Sequence, residues 1–316
     1  MKVLHVTNAF PYNEYESFGI FIKEQIHSLN EIGVINEVVF INARKKGSME
    51  YFKQVKYIKK TIKSFEPDVI HCHHEFCLLP FLFIRTNTPI ILSLLGDIEN
   101  RSIINKIIFH LLKRKTKKII IKNKELNSEP FVYLPNGVNT TLFNEYNKYE
   151  SKRLIKVNPK NRYILFVTAS INNPIKRYDK FKSVVALLNK DSEEEFVPLI
   201  MSGVKRELVP YFYNAADLLL LTSDHEGSPN AVKEAMSCNT PVVSTNVGNV
   251  KHLFGDSKYN LIANSGTIEE LHELSKRCLL TNENDGRHRI FELQLNINHI
   301  ASKLSNLYKQ LNKCQN

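Results

Sequence analysis

Two glutamates on either side of a predicted helix start are the residues of this sequence best suited to bind a polar ligand. Glu226 lies in the segment SDHEGSPNAVKEAMSCNTPVVST (residues 223–245), and Glu234 follows it within the helix. Ser228 is the predicted N-cap and Pro229 the first helical residue. Amide groups at such a start bind anions, and carboxylates accept hydrogen bonds from hydroxyls. The segment predicts a pocket for a ligand with hydroxyls and a phosphate, although either glutamate alone is more typical of a solvated helix.

A second polar cluster, HCHHE at residues 71–75, raises the question of a metal site. Neighbouring residues on a strand point to opposite faces, so at most His71, His73 and Glu75 can share one ion. Zinc needs a closed set of oriented ligands, which this segment does not indicate. We therefore expect no metal, and we predict a strand end with His73 and His74 near an acceptor molecule.

Residues 101–124 carry nine Lys or Arg and no acidic residue. Their isoleucines and leucines follow helical spacing, so one interpretation is a helix buried on one face with a solvated basic face. The other is a surface that docks on anionic lipid. A nucleic-acid surface is disfavoured because the segment contains a single aromatic residue, Phe109.

The composition is that of a globular protein, with 43% hydrophobic and 24% charged residues among 316. The formal net charge of +11 attracts phosphate groups in general and does not identify the partner. The five cysteines form no CxxC pair, which favours a reducing compartment. With neither a signal peptide nor an apolar run of spanning length, we expect a cytoplasmic protein.

Short apolar runs alternate with amphipathic stretches along the whole chain, which predicts βαβ units and mainly parallel sheets. The polar segment 134–161 separates two such sets. We predict an N-terminal domain over residues 1–145 and a C-terminal domain over 146–316, both doubly wound α/β. Ligands of such sheets bind beyond the carboxyl ends of the strands, so two facing domains would form a cleft.

The segment around Glu226 resembles the E-x7-E motif of retaining glycosyltransferases of family 4, which have the GT-B fold of two Rossmann-like domains. The resemblance extends over nearly the whole chain. It includes the segments PYNEYESFGIFIKEQIHSLNEIG, DVIHCH, LSLLGDIE, LPNGVNTTLF and NNPIKRYD. The last helix is expected to pack back on the N-terminal domain, as in relatives.

The resemblance implies a role for each matching residue. Lys176, assisted by Arg177, would neutralise the diphosphate of a nucleotide-sugar donor. Glu226 would bind the transferred sugar and Glu234 the ribose hydroxyls. The remaining donor contacts are expected from Gly19, Gly227, Ser228, Pro229 and Asn230, and an acceptor contact from Asp97. The family needs no metal or other cofactor.

The sequence also departs from the family pattern. The segment FVTASINNP lacks the arginine that usually follows the first strand of the second domain. Leu95, Asn139, Asn239 and His252 replace the usual histidine, aspartate, glycine and glutamate. None of these changes affects the paired glutamates.

We therefore predict a retaining glycosyltransferase that moves a sugar from a nucleotide-diphosphate sugar to a glycan acceptor, lipid-linked, in cell-surface polysaccharide synthesis. The expected location is cytoplasmic, peripheral on the inner face of the membrane. A nucleotide-sugar epimerase would share the fold, but the E-x7-E spacing disfavours it. The non-enzymatic alternative is a basic membrane- or nucleic-acid-binding protein with a catalytically silent GT-B fold.

Overall fold

The computed structural model describes residues 1–13, 15–94, 103–122, 129–281 and 283–313. They divide into two compact units, one of Met1–Gly137 with Ile297–Asn316 and one of Val138–Asn296. The division falls a few residues before the predicted boundary at 145, because Phe143 is fully buried in the second unit, where its ring contacts that of Tyr213.

The described part of the first unit contains a parallel sheet of six strands in the order β2-β1-β3-β4-β5-β6. Its strands are β1 Lys2–Thr7, β2 Ile35–Phe40, β3 Val69–His73, β4 Ile90–Ser93, β5 Lys118–Ile121 and β6 Phe131–Tyr133. Alternation along β1 sends Leu4 and Val6 into an apolar core and the buried His5 to the other face.

Helices cover both faces of this sheet. They are α1 Ile20–Glu31, α2 Ala43–Lys46, α3 Glu50–Lys53, α4 Val55–Phe65 and α5 Ile103–Leu112, with 3-10 helices at Glu75–Leu82 and Lys113–Lys115. The last helix of the chain, Ile297–Lys313, also belongs to this unit, where it packs against α1 and β3.

The second unit has a parallel sheet of five strands among the residues described, in the order β11-β10-β9-β7-β8. The strands are β7 Arg162–Val167, β8 Phe196–Met201, β9 Leu218–Leu221, β10 Val242–Thr245 and β11 Leu261–Ala263. The helices are α6 Lys148–Leu154, α7 Tyr178–Asp191, α8 Val209–Ala215, α9 Asn230–Ser237, α10 Val250–Phe254, α11 Ile268–Leu279 and α12 Gly286–Glu292, with 3-10 helices at Pro174–Lys176 and Arg206–Leu208. The helix Ile297–Lys313 is then α13.

The two sheets confirm the predicted doubly wound α/β architecture, with differences in detail. The predicted linker 134–161 contains α6, and β6 was not predicted because its three residues are only partly buried. After residue 285 the chain forms two helices, α12 and α13. Among the described helices, none combines the length and the apolar character that crossing a bilayer requires.

Candidate functional site

Two neighbouring strands of the second unit position the candidate residues. β7 and β9 are adjacent and parallel in the sheet, so their carboxyl ends lie side by side. Lys176 follows β7, and Glu226 lies in the loop between β9 and α9. Ligands of doubly wound sheets bind at this edge.

Hydrogen bonds connect the two loops directly. The Thr222 hydroxyl donates to the carbonyl oxygens of Lys176 and Arg177, at 2.9 and 3.0 Å. The backbone N–H of Asp224 donates to the Ile175 carbonyl at 2.9 Å. The loop after β9 therefore fixes the backbone that carries Lys176.

The central contact of the site is an ion pair between Lys176 and Glu226. Lys176 Nζ lies 2.5 Å from Glu226 Oε1, and the Ser223 hydroxyl donates to the same oxygen at 2.9 Å. The two side chains remain 24% and 16% exposed, so a ligand can reach both. The structure thus brings the lysine after β7 to the glutamate before α9, and it adds Ser223, which the sequence analysis missed.

The start of α9 differs by one residue from the prediction. The helix begins at Asn230, and Pro229 occupies the N-cap with φ −65° and no side-chain cap. Ser228 is therefore not the N-cap, and its hydroxyl instead accepts a hydrogen bond from Lys233 Nζ at 3.2 Å. Since Pro229 has no hydroxyl to cap with, it leaves the first amides of α9 uncovered by a cap side chain.

A glycine loop supports the residues beside Glu226. At Gly248 φ is +53°, and a Cβ there would lie 2.3 Å from the Gly227 carbonyl oxygen. The next residue, Asn249, donates its backbone N–H to that oxygen at 3.1 Å. The close approach requires glycine at position 248, which a motif centred on the glutamates does not indicate.

Two amide side chains near this loop carry buried polar atoms that are unsatisfied. Both Oδ1 and Nδ2 of Asn249, and Oδ1 of Asn230, find no hydrogen-bond partner among the residues that the structure describes. Buried polar atoms are rarely left unpaired, because each costs about 1–3 kcal/mol. These atoms therefore mark where a polar ligand can bind.

Glu234 is held by two residues that the sequence analysis did not identify. Arg206 Nη1 donates to Glu234 Oε1 at 2.8 Å, and the Tyr213 hydroxyl donates to Oε2 at 2.9 Å. Burial and the Glu234 carboxylate raise the pKa of Tyr213 well above its ordinary value, so Tyr213 stays a donor. Arg206 also lies over the Phe143 ring, at 4.5 Å from its centroid.

Arg177 does not join the Lys176–Glu226 pair. Its guanidinium donates to Asp179 at 2.8 Å and to Asp224 at 3.2 Å. The hydrogen bond from Arg177 lowers the pKa of Asp179 to about 2, so that carboxylate is ionised at neutral pH. Arg177 is thus part of an exposed ionic cluster next to the site.

The candidate residues of the first unit occupy varied environments. Gly19 begins α1 with φ +70°, and a Cβ would lie 2.3 Å from the Ala9 carbonyl carbon, which explains the glycine. His73 is 1% exposed, and its Nε2 lies 2.9 Å from His5 Nδ1. His74 is more accessible, with 28% of its side chain exposed, and its Nδ1 accepts from the Phe76 N–H. Asp97, with Leu95 and Gly96, lies outside the described residues.

Glu75 does not lie on the strand face that carries His71 and His73, so it cannot share an ion with them as the alternation pattern allowed. It begins a 3-10 helix after β3, and the third residue beside His71 and His73 is His5 of β1. Burial lowers the pKa of His5 to about 4, so its ring is neutral at neutral pH. A motif search in one segment cannot find this cluster because His5 is distant in sequence.

Comparison with known proteins adds an independent line of evidence. Residues 199–292, which include both glutamates, match the family described as glycosyl transferases group 1. TuaC of Bacillus subtilis (strain 168), assigned to teichuronic acid biosynthesis as a glycosyltransferase, is 23% identical over 333 residues, covering 83% of this chain and 85% of TuaC.

Two solved structures show the same fold over the whole chain. Sucrose-phosphate synthase from Thermosynechococcus elongatus has a TM-score of 0.78 at 14% identity, covering 98% of this chain and 99% of that one. HepE from Anabaena, in complex with UDP-glucose, has a TM-score of 0.65 at 16% identity, covering 100% and 99%. Their architecture confirms the predicted GT-B fold class.

Proposed function

We propose that this GT-B glycosyltransferase transfers a sugar from a nucleoside-diphosphate sugar to a glycan acceptor on a lipid carrier, with retention of the anomeric configuration. The observation that carries the donor half is the contact of Lys176 with Glu226 beside the start of α9. The complex of HepE with UDP-glucose supports the nucleotide-sugar donor, and the naming of TuaC for teichuronic acid biosynthesis supports our proposal of a cell-surface polysaccharide as the product.

Lys176 and the first amides of α9 supply the positive charge for the diphosphate. A departing nucleoside diphosphate accumulates negative charge, which a fixed cation and a helix N-terminus stabilise in the transition state. Because these groups are part of the chain, we propose transfer without a divalent metal or another cofactor. Arg177 would assist only by exchanging its pairing with Asp179 and Asp224 for the diphosphate.

Donor binding would exchange partners within the ion pair. When a phosphate oxygen takes the place of Glu226 Oε1 beside Lys176, the carboxylate becomes free to accept from a sugar hydroxyl. The unpaired amide atoms of Asn230 and Asn249 provide further partners for the ligand. Gly227, Ser228 and Pro229 complete the donor loop in this proposal.

Glu234 would hold the ribose hydroxyls. Its two oxygens each accept one hydrogen bond within the chain, from Arg206 and Tyr213. An ionised carboxylate has about four acceptor positions, so capacity for two hydroxyl donors remains. Arg206 and Tyr213 would orient the carboxylate for this contact.

The acceptor side and the membrane are further parts of the proposal. His74 and Asp97 are the proposed acceptor contacts, whereas His73 is 1% exposed and lies 2.9 Å from His5, so it does not reach an acceptor. The surface of α5 and the turn after it, residues 106–117, exposes Leu111, Arg114 and Lys115, a combination suited to an anionic bilayer at the inner face of the membrane. Lys122 is buried and does not belong to this surface.

A thermal-shift panel tests the donor half. UDP, GDP, ADP and their common sugars are each titrated against the full chain, and one nucleotide should stabilise it by about 2.7 kcal/mol at 100 times its dissociation constant. Lys176→Ala should lower the affinity for that nucleotide by about 10–100-fold, as expected for the loss of a charged hydrogen bond.

The matched control is Lys190→Ala, on an exposed position of α7. It should bind the nucleotide like the unaltered chain. Equal binding by Lys176→Ala and the unaltered chain would refute the proposed donor site.

A further inference from the structure

The face of the first sheet opposite its apolar core carries three buried histidines. In the register of β1 and β3, His5 is paired with His71, and His73 lies two residues further along β3. Strand alternation therefore places all three on one face, where each is at most 1% exposed. The donor site described above lies in the other unit and uses none of them.

The hydrogen bonds of Asn36 fix the chemical state of His5. The Asn36 amide nitrogen donates to the Val34 carbonyl and to Asn30 Oδ1, so its own Oδ1 faces His5 Nε2, at 2.8 Å. A carbonyl oxygen only accepts, and His5 Nε2 must therefore carry the proton. His73 Nε2, 2.9 Å away, therefore donates to the bare lone pair of His5 Nδ1, and this proton must move to His73 Nδ1 before Nε2 can bind a metal.

The orientation of His71 is fixed in a similar way. Its Nδ1 lies 2.6 Å from the Tyr308 hydroxyl of α13, and its Nε2 lies 2.8 Å from the Ser93 hydroxyl of β4. The nitrogen that serves as a ligand must give up its hydroxyl partner, and the other nitrogen keeps one. The remaining hydroxyl would orient the ring, as a hydrogen-bonding partner does for a histidine that binds metal.

We propose that His5, His71 and His73 bind one zinc ion, which links β1 to β3 beneath α13. Two nitrogens at 2.0–2.1 Å from a tetrahedral zinc lie about 3.3 Å apart. The 2.9 Å between His5 Nδ1 and His73 Nε2 is a few tenths of an ångström short of this spacing. Ligand nitrogens of all three residues lie within 4.8 Å of one another, so the third must approach by no more than about 1.5 Å.

The surroundings favour a metal with nitrogen ligands. Three neutral imidazoles suit zinc, and the fourth position is open to the Tyr308 hydroxyl or to water. Together with burial, the positive charge of Lys122 lowers the pKa values of His71 and His73. The same charge would repel a bound cation. Burial lowers the pKa of Lys122 to about 7, which reduces this opposition. The metal would hold α13 to the sheet through Tyr308 rather than take part in sugar transfer.

Metal titration of the full chain tests the proposal. After treatment with a chelator, zinc should bind with one equivalent per chain in competition with a chromophoric chelator. Cobalt(II) should give the intense visible bands of a four-coordinate site. His5→Gln and His73→Gln should each abolish stoichiometric binding, while Asn36→Ala should weaken it by about 10–100-fold.

The control is His27→Gln, an exposed histidine of α1, which should leave binding unchanged. Cobalt spectra typical of a six-coordinate ion would overturn the proposal. This measurement uses the unaltered chain, so the proposal remains testable if His5→Gln does not fold. Stoichiometric zinc binding that survives both His5→Gln and His73→Gln would overturn it as well. Neither result would bear on the nucleotide-sugar site.

Discussion

The side chain of Glu226 contacts both a cation and a hydroxyl. These contacts determine how Glu226 and its two partners can respond to a ligand. Lys176 and Ser223 both contact Oε1, so the lysine charge is largely neutralised before a ligand arrives. A diphosphate must compete with the carboxylate for Lys176. In the proposed donor site, binding of the nucleotide and binding of the sugar would therefore be linked through one ion pair.

This linkage predicts opposite effects of one substitution. Glu226→Gln removes the competing charge, so UDP, or whichever nucleotide the panel selects, should bind equally well or up to about 10-fold more tightly. Sugar transfer should fall on the order of 100-fold, because a group that acts on the reacting sugar is lost. Calorimetry and a transfer assay measure the two effects. A parallel loss of nucleotide affinity and transfer would contradict the linkage.

Glu234 has a structural role in addition to its proposed ribose contact. It is 9% exposed and joins Arg206 of one 3-10 helix to Tyr213 of α8. Because both contacts join separate elements, the structure predicts that replacing Glu234 lowers the stability of the fold.

We expect Glu234→Gln to lower the free energy of unfolding by about 1–2 kcal/mol, since it weakens a charge-assisted hydrogen bond to Arg206. Nucleotide affinity should fall by about 10-fold in the same variant. Urea denaturation with and without nucleotide separates the two effects. Glu207→Gln, on the exposed side of the same 3-10 helix as Arg206, is the control and should change neither.

At the scale of elements, the loop before α9 depends on the loop after β10. Gly248 approaches the Gly227 carbonyl so closely that any side chain must displace the residues beside Glu226. Gly203 provides a matched comparison, because its φ is also positive, at +63°, and nothing lies within 4 Å of its Cβ position.

Gly203→Ala should cost about 1–2 kcal/mol of stability, for the left-handed backbone alone. Gly248→Ala should cost more and should also reduce sugar transfer at least 10-fold, because it moves the loop of Glu226. Thermal unfolding and the transfer assay are measured for both variants. Equal effects would show that the contact with Gly227 is unimportant.

Most elements could be predicted from the sequence because their signals are local. Apolar runs of four to six residues, such as Leu218–Leu221, indicate buried strands, and proline at residue 229 indicates a helix start. The N-cap was misassigned because Ser228 and Pro229 are both typical of that region. The partners of Glu234 and the third histidine could not be predicted, since Arg206 and His5 meet them only after the chain folds.

At the scale of the whole molecule, the formal net charge is +11, and the basic residues differ in how exposed they are to solvent. Lys113, Arg114 and Lys115 follow α5 in one turn, beside the exposed Leu111, whereas Lys122 of the same segment is buried. Charge and exposed apolar surface occur together at this turn. The combination is what binding to an anionic bilayer requires.

Replacing Lys113, Arg114 and Lys115 by glutamate should lower binding to vesicles that contain anionic lipid by at least 10-fold, since each cation near such a surface contributes about 1 kcal/mol. Co-sedimentation measures the bound fraction, which should also fall at high salt. The same charge change at Lys182, Lys190 and Lys205, all exposed in the second unit, is the control. Binding that is independent of anionic lipid would count against the docking surface.

The most direct test of the donor site is a crystal structure of the chain with UDP or the nucleotide selected by the thermal-shift panel. The account predicts a phosphate oxygen within hydrogen-bond distance of Lys176 Nζ, the Lys176–Glu226 ion pair opened, and the ribose hydroxyls against Glu234. A nucleotide bound elsewhere, with Lys176 still paired to Glu226, would contradict it.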